Sequence, residues 1–220
     1  MSSIGRTDDR SLREEMVVTC RRMNASGINQ GTSGNLSVRC DDGILITPSS
    51  LPYDRMEADD LSILRPDGSA EGKHRPSSEW RFHRDILDKR KDMSVVLHCH
   101  SLHATALAVH HKPIPAFHYM VAVAGGPSIR CSRYETFGTQ ELSDAAIEAL
   151  EGRKACLLGQ HGQISLGSSF ESALWLAIEV ETLAHMYLSA LSIGEPPILP
   201  DEEIGRVLQK MDELRYATRH

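Results

Sequence analysis

No apolar run in this chain of 220 residues approaches the roughly 20 residues that span a bilayer. The opening stretch MSSIGRTDDRSLREEM is polar where a secretory leader would be apolar, so no membrane partner and a cytoplasmic location are expected. Cysteine is sparse: Cys20, Cys40, Cys99, Cys131 and Cys156 are odd in number, widely spaced and without a C-x-x-C pair, which excludes a disulfide framework and a zinc ribbon. Basic charge is also short. The net charge is -6, and Lys and Arg are interleaved with acids, as in Asp88-Lys89-Arg90-Lys91-Asp92, so nucleic acid is not the expected partner. Phosphate-loop, dinucleotide and nucleophile-elbow motifs are missing. The six lysines mostly sit beside other charges, which disfavours a desolvated Schiff-base lysine.

What remains is a globular composition, 40% hydrophobic and 25% charged, with eleven histidines, several in apolar surroundings where a neutral imidazole needs a hydrogen-bond or metal partner. Apolar spacing predicts a helix over 11–23, two strands over 35–39 and 44–47 joined by an Asp42-Gly43 type I′ turn, and a strand over 61–65. Ser77 and Ser78 are read as N-caps of a helix running to about Lys89. Strands follow at 95–100 and 116–121, helices at 101–109 and 141–150, and strands at 155–158 and 163–166. A long helix over 169–193 and a shorter one over 201–215 close the chain. The expected fold is α/β: one domain over 1–220, a mostly antiparallel sheet between helices, with 195–220 as a C-terminal helix and tail.

The sharpest chemical signal is His98-Cys99-His100. On a strand the two imidazoles share a face and Cys99 points away, although two core histidines would give the same pattern. His161 in the glycine-flanked turn Gly159-Gln160-His161-Gly162 and Glu79 at a helix start would complete a four-coordinate zinc site. Gly31-Thr32-Ser33-Gly34-Asn35 is a small-residue turn able to approach an anion or simply to turn the chain. Ser77 and Ser78 offer hydroxyls at the positive end of a helix dipole, and N-capping alone would also account for them. Tyr119 offers a phenolic proton, or is a tyrosine closing a strand. Arg206, Arg215, Tyr216, Arg219 and His220 fit a basic flap or a frayed terminus.

Taken together, and in this order, these pieces resemble the class II, zinc-dependent aldolase and epimerase family. The resemblance runs along nearly the whole chain: GINQGTSGNLSVR at 27–39, ILITPSSLPY at 44–53, PSSEWRFH at 76–83, VVLHCHSLHATAL at 95–107, PIPAFHYMVAVAGG at 113–126, ETFGTQELS at 135–143 and QHG at 160–162. It implies one zinc ion per subunit on Glu79, His98, His100 and His161, and substrate phosphate on Gly34, Asn35, Ser77 and Ser78, with Ser49 and Ser50 as further candidates. It implies catalysis by Glu79 and by Tyr119 as proton donor, with Phe137 and Tyr216 lining the pocket.

The implied reaction is retro-aldol cleavage of a ketose 1-phosphate, such as L-fuculose 1-phosphate or a 5-deoxyribulose or 5-methylthioribulose 1-phosphate, to dihydroxyacetone phosphate and a short aldehyde. The implied assembly is a homotetramer with sites between subunits. Pentulose-phosphate 4-epimerase, methylthioribulose-1-phosphate dehydratase and a non-catalytic sugar-phosphate-binding module are the alternatives. Epimerases of the family carry Asp where this chain has Glu79. Two departures from the family stand out. Thr47-Pro48-Ser49-Ser50 replaces the usual Thr-Pro-Thr/Ser-Gly, and the tail offers Tyr216 only near the place of the family's closing tyrosine.

Overall fold

The computed structural model describes residues 6–214 and 216, so Arg215, Arg219 and His220 of the C-terminal basic cluster lie outside the described residues. The first helix, α1 (Arg10–Ala25), starts where the Asp9 carboxylate accepts the Leu12 N–H at 2.8 Å and buries Leu12, Met16, Cys20 and Met23. The hairpin β1 (Asn35–Cys40) and β2 (Gly43–Ile46) follows, then β3 (Ser62–Leu64) and the short β4 (Ala70–Glu71). Next come α2 (Trp80–Lys89), β5 (Val95–Cys99), α3 (Leu102–Val109), β6 (Ile114–Pro115) and β7 (Ser128–Cys131). The chain ends through α4 (Gln140–Ala149), β8 (Ala155–Leu158), β9 (Gly162–Gly167), the long α5 (Phe170–Leu191) and α6 (Asp201–Glu213).

The strands form one sheet in the order β4-β3-β2-β1-β5-β9-β8-β7-β6, antiparallel except between β7 and β8. Alternation divides its side chains between two helical layers. Leu36, Val38, Leu97 and Cys99 meet α1 and the first turns of α5, whereas Val96, Cys156, Ile164 and Leu166 meet α2 and α4. A third cluster packs α3, β8 and the second half of α5. Each fully buried Leu, Ile or Val in these layers contributes about 1.5–3 kcal/mol. Among the described residues no helix is long and apolar enough to cross a membrane.

Three local expectations need correction. The first hairpin pairs Cys40 with Gly43, so its turn residues are Asp41 and Asp42, neither in the positive-φ region that a type I′ turn requires. Gly43 instead opens β2 at φ 140°, because a side chain there would strike the Leu64 carbonyl. The expected strand over 116–121 is a 3-10 helix, Tyr119–Ala124, started by the His118 imidazole accepting the Met120 N–H at 3.3 Å and stopped by Gly125 at φ 96°. Its apolar run packs against α5 and α6 instead of extending the sheet. Finally, α2 begins at Trp80 with Glu79 in the cap position. Ser77 does not cap in the ordinary way: its Oγ accepts the Glu79 N–H at 3.3 Å, and Ser78 is exposed.

Candidate active site

The three imidazoles meet at the end of the sheet's central strands. Asn35 and His98 are cross-strand partners between β1 and β5, and His161 stands in the turn that enters β9, the strand on the other side of β5. One nitrogen from each of His98, His100 and His161 lies within 4.8 Å of the others, and the rings stand nearly perpendicular, 72–79° apart. Glu79 reaches the same point from the head of α2: Oε2 is 3.3 Å from His98 Nε2 and Oε1 is 3.3 Å from His161 Nε2. The carboxylate is buried, yet Oε1 has no hydrogen-bond partner.

A buried carboxylate oxygen facing ring nitrogens is costly unless a cation or proton is shared there. The ring protonation states decide between the two. Burial, reinforced by the neighbouring imidazoles, holds both His98 and His161 down to about 3, and burial also lowers His100. The rings are therefore neutral near pH 7 and have lone pairs to offer a metal. His98 has its tautomer set: Nδ1–H donates to the Gln163 carbonyl at 2.9 Å, which leaves Nε2 free to ligate. The group has the neutral nitrogen and carboxylate donors, and the burial, that suit a divalent metal ion.

Around this point three loops converge. Gly34 is irreplaceable sterically, since a Cβ would overlap the Asn29 side chain and come within 2.7 Å of the His98 carbonyl. The buried Tyr53 hydroxyl donates to the Gly34 carbonyl at 2.6 Å and holds that turn in place. The segments carrying Ser49 and Ser77 are tied by an isolated Pro48–Pro76 bridge, with Ser49 N–H donating to the Arg75 carbonyl at 3.0 Å and Ser77 N–H to the Thr47 carbonyl at 2.9 Å. Ser50, where the family pattern has glycine, adopts φ 60°, so the left-handed turn persists with a side chain in it.

A cleft of about 330 Å³ opens over the triad, lined by Ser33, Ser78, Glu79, His100, Tyr134, Glu135, Phe137, Gln160 and His161. Phe137 is among the cleft's lining and is 65% exposed. Arg81 secures its loop by donating to the Gly138 carbonyl at 2.6 Å. Neither Tyr119 nor Tyr216 lines this cleft: Tyr119 is half exposed on the 3-10 helix, and Tyr216 packs edge-on against Trp175.

The sequence reading missed His83, Ser37, Tyr134 and Gln160. His83 was detectable, because Glu79, His83, Ile86 and Leu87 recur at the spacing of one buried helical face.

Comparison with known proteins now bears on this geometry. Residues 14–188 match the model of the family described as Class II Aldolase and Adducin N-terminal domain. The chain belongs to the class II aldolase family. It is 50% identical over 200 residues to the 5-methylthioribulose-1-phosphate/5-deoxyribulose-1-phosphate aldolase of Rhodospirillum rubrum, covering 91% of this chain and 90% of that one. It is 48% identical to the L-fuculose phosphate aldolase of Escherichia coli strain K12, covering 90% and 93%. Among solved structures, an L-fuculose 1-phosphate aldolase superposes with a TM-score of 0.90 at 35% identity, covering 93% of this chain and 97% of that one. Both sequence relatives are named aldolases, and this chain is an enzyme of their class.

Proposed function

We propose that the protein cleaves a ketose 1-phosphate into dihydroxyacetone phosphate and a short aldehyde, with a zinc ion held by Glu79, His98, His100 and His161. The observation that carries this reading is the convergence of three neutral imidazoles and an unpartnered buried carboxylate oxygen at the base of a cleft flanked by serine-bearing loops. When bound, zinc supplies Lewis-acid polarisation of the substrate carbonyl. The phosphate is held by Gly34, Asn35, Ser77 and Ser78, with Ser49 and Ser50 reaching it from the bridged loop.

Breaking the bond between C3 and C4 requires the C4 hydroxyl to lose its proton as it becomes the aldehyde carbonyl, while C3 gains one. The proton released at the C4 oxygen is taken up by a base there, and Glu79, after acquiring a proton on its unpartnered Oε1, delivers one to C3, so that one proton is lost at C4 and one gained at C3. Tyr119 exchanges the proton at the C4 oxygen. Tyr119 lies outside the cleft lining of one chain, so in this proposal a neighbouring subunit of a homotetramer supplies it. Phe137 and Tyr134 then border the aldehyde half. The names of the relatives support 5-methylthioribulose, 5-deoxyribulose and L-fuculose 1-phosphates as substrates, and Glu79 in place of Asp supports aldolase over epimerase.

The test is dihydroxyacetone phosphate release from that panel by chelator-stripped protein, with and without added zinc. Zinc-restored release is the expected result. No release from any panel member under either condition would overturn the proposal.

A further inference from the structure

Below the metal ligands, four buried side chains form a hydrogen-bond chain whose direction is fixed by chemistry alone. The Glu79 carboxylate can only accept, so Asn35 presents its amide nitrogen to Oε2 at 2.9 Å and turns its carbonyl oxygen the other way. That oxygen can only accept, so His83 carries its proton on Nε2 and donates to it at 2.5 Å. A neutral His83 then offers Nδ1 as an acceptor, and the Ser37 hydroxyl donates to it at 2.7 Å. Two regular elements supply the members in pairs. Asn35 and Ser37 are two apart on β1, and Glu79 and His83 are four apart at the head of α2, so each pair shares a face.

All four residues are at most 5% exposed, and the Phe82 ring stacks on His83 with centroids 4.6 Å apart, which restrains the imidazole. The chain engages only Oε2 of Glu79; Oε1, toward His161, stays unpartnered. From this asymmetry we infer that His83 is a positioning residue: with Ser37 it fixes the orientation of the Asn35 amide, and through it the rotamer of Glu79 that leaves one carboxylate oxygen for metal and proton transfer. The inference deepens the metal-dependent reading above and rests on it. Were Asn35 to turn over, its carbonyl oxygen would face a carboxylate oxygen, and the only remedy would be movement of Glu79 away from the imidazoles.

The experiment is zinc affinity by chelator competition on the full-length chain, with kcat and KM for cleavage measured in parallel. His83→Leu is expected to weaken zinc by about 10–100-fold and to lower kcat more than KM, as loss of a ligand-orienting partner does. His83→Gln keeps an N–H donor for Asn35 and is expected to restore most of both. In a Glu79→Gln background His83→Leu is expected to cost little more zinc affinity, because the group it positions has been replaced.

Circular dichroism reports whether each variant folds. If His83→Leu does not, Ser37→Ala carries the test, with an expected loss of about 3–10-fold in zinc affinity. Unchanged zinc affinity in the folded variant, or the same fold-loss with and without the Glu79 substitution, would overturn the positioning role. A wild-type chain that binds no zinc would instead overturn the metal reading on which the inference stands.

Discussion

The floor and the rim of the cleft are built to different standards. On the floor, Glu79, Asn35, His83 and His98 are almost wholly buried and held at defined distances by β1, α2, β5 and β9. At the rim, Ser78, Tyr134 and Phe137 are exposed, while the exposed Ser50 and the half-exposed Tyr119 lie outside the cleft lining. The difference separates two kinds of residue. The floor residues are fixed by the chain's own packing, whereas the exposed rim side chains are held by few contacts and are free to adjust to what enters the cleft.

That contrast can be broken from either side. The largest effect is expected on the floor: Glu79→Gln should lower kcat by about 10²–10⁴-fold, as loss of a general acid–base does, while dihydroxyacetone phosphate still binds. Steady-state kinetics with calorimetry separates the two quantities, and turnover within tenfold of wild type would remove Glu79 from the chemistry. Outside the cleft lining, Tyr119→Phe should cost roughly 10²-fold in kcat with KM little changed. Mixing it with Glu79→Gln protein, which keeps Tyr119, should restore part of the activity if sites are shared between subunits. Mixtures no more active than either parent would place Tyr119 and Glu79 in the same chain's site.

A third effect concerns acid. Burial depresses His98 and His161 to about 3 in the folded chain against about 6.5 unfolded. Their contribution to stability is therefore complete above about pH 6.5 and is lost as the pH falls toward 3, at up to about 1.4 kcal/mol per pH unit for the fully buried His98. Urea unfolding of the metal-free chain across that window checks it; a flat profile would mean that the imidazoles are solvated. The smallest effect is in the exposed turn that carries Ser50. Ser50→Gly should relieve the left-handed strain and stabilise the fold by about 0.5–1 kcal/mol, visible as a melting shift of a few degrees.

The same division governs what could be read from the sequence. Helices α1 to α6 and the strands β1, β2, β3, β5, β8 and β9, the pairing of His98 with His100 and the glycine turn carrying His161 were legible, because each depends on local periodicity or on a turn residue, whereas the two-residue strands β4 and β6 are too short to show a period and β7 was missed with them. The expected strand over 116–121 failed because His118 and Gly125 favour a 3-10 turn and the third apolar cluster rewards it, a tertiary preference over a local one. The Ser37–His83 chain was hidden for a different reason. Asn35, Ser37 and Arg39 alternate with apolar residues and read as a solvent-facing row, yet α2 covers them, and Arg39 spends its guanidinium on the Leu87, Arg90 and Met93 carbonyls. Alternation in a strand marks two different faces without saying that either is wet.

One connection sets the spacing of the whole arrangement. Helix α3 leaves the His98–His100 pair at Ser101, and at its far end the Ala108 carbonyl receives the N–H of Gln160, the residue just before His161. His111 and Gln160 meet there, both in the left-handed region at φ 53°. The helix thus works as a ruler laid between two arms of the site that are far apart in sequence. A one-residue insertion would lengthen it by about 1.5 Å and turn its end by about 100°, so its hold on the turn carrying His161 would be lost with none of the three imidazoles mutated.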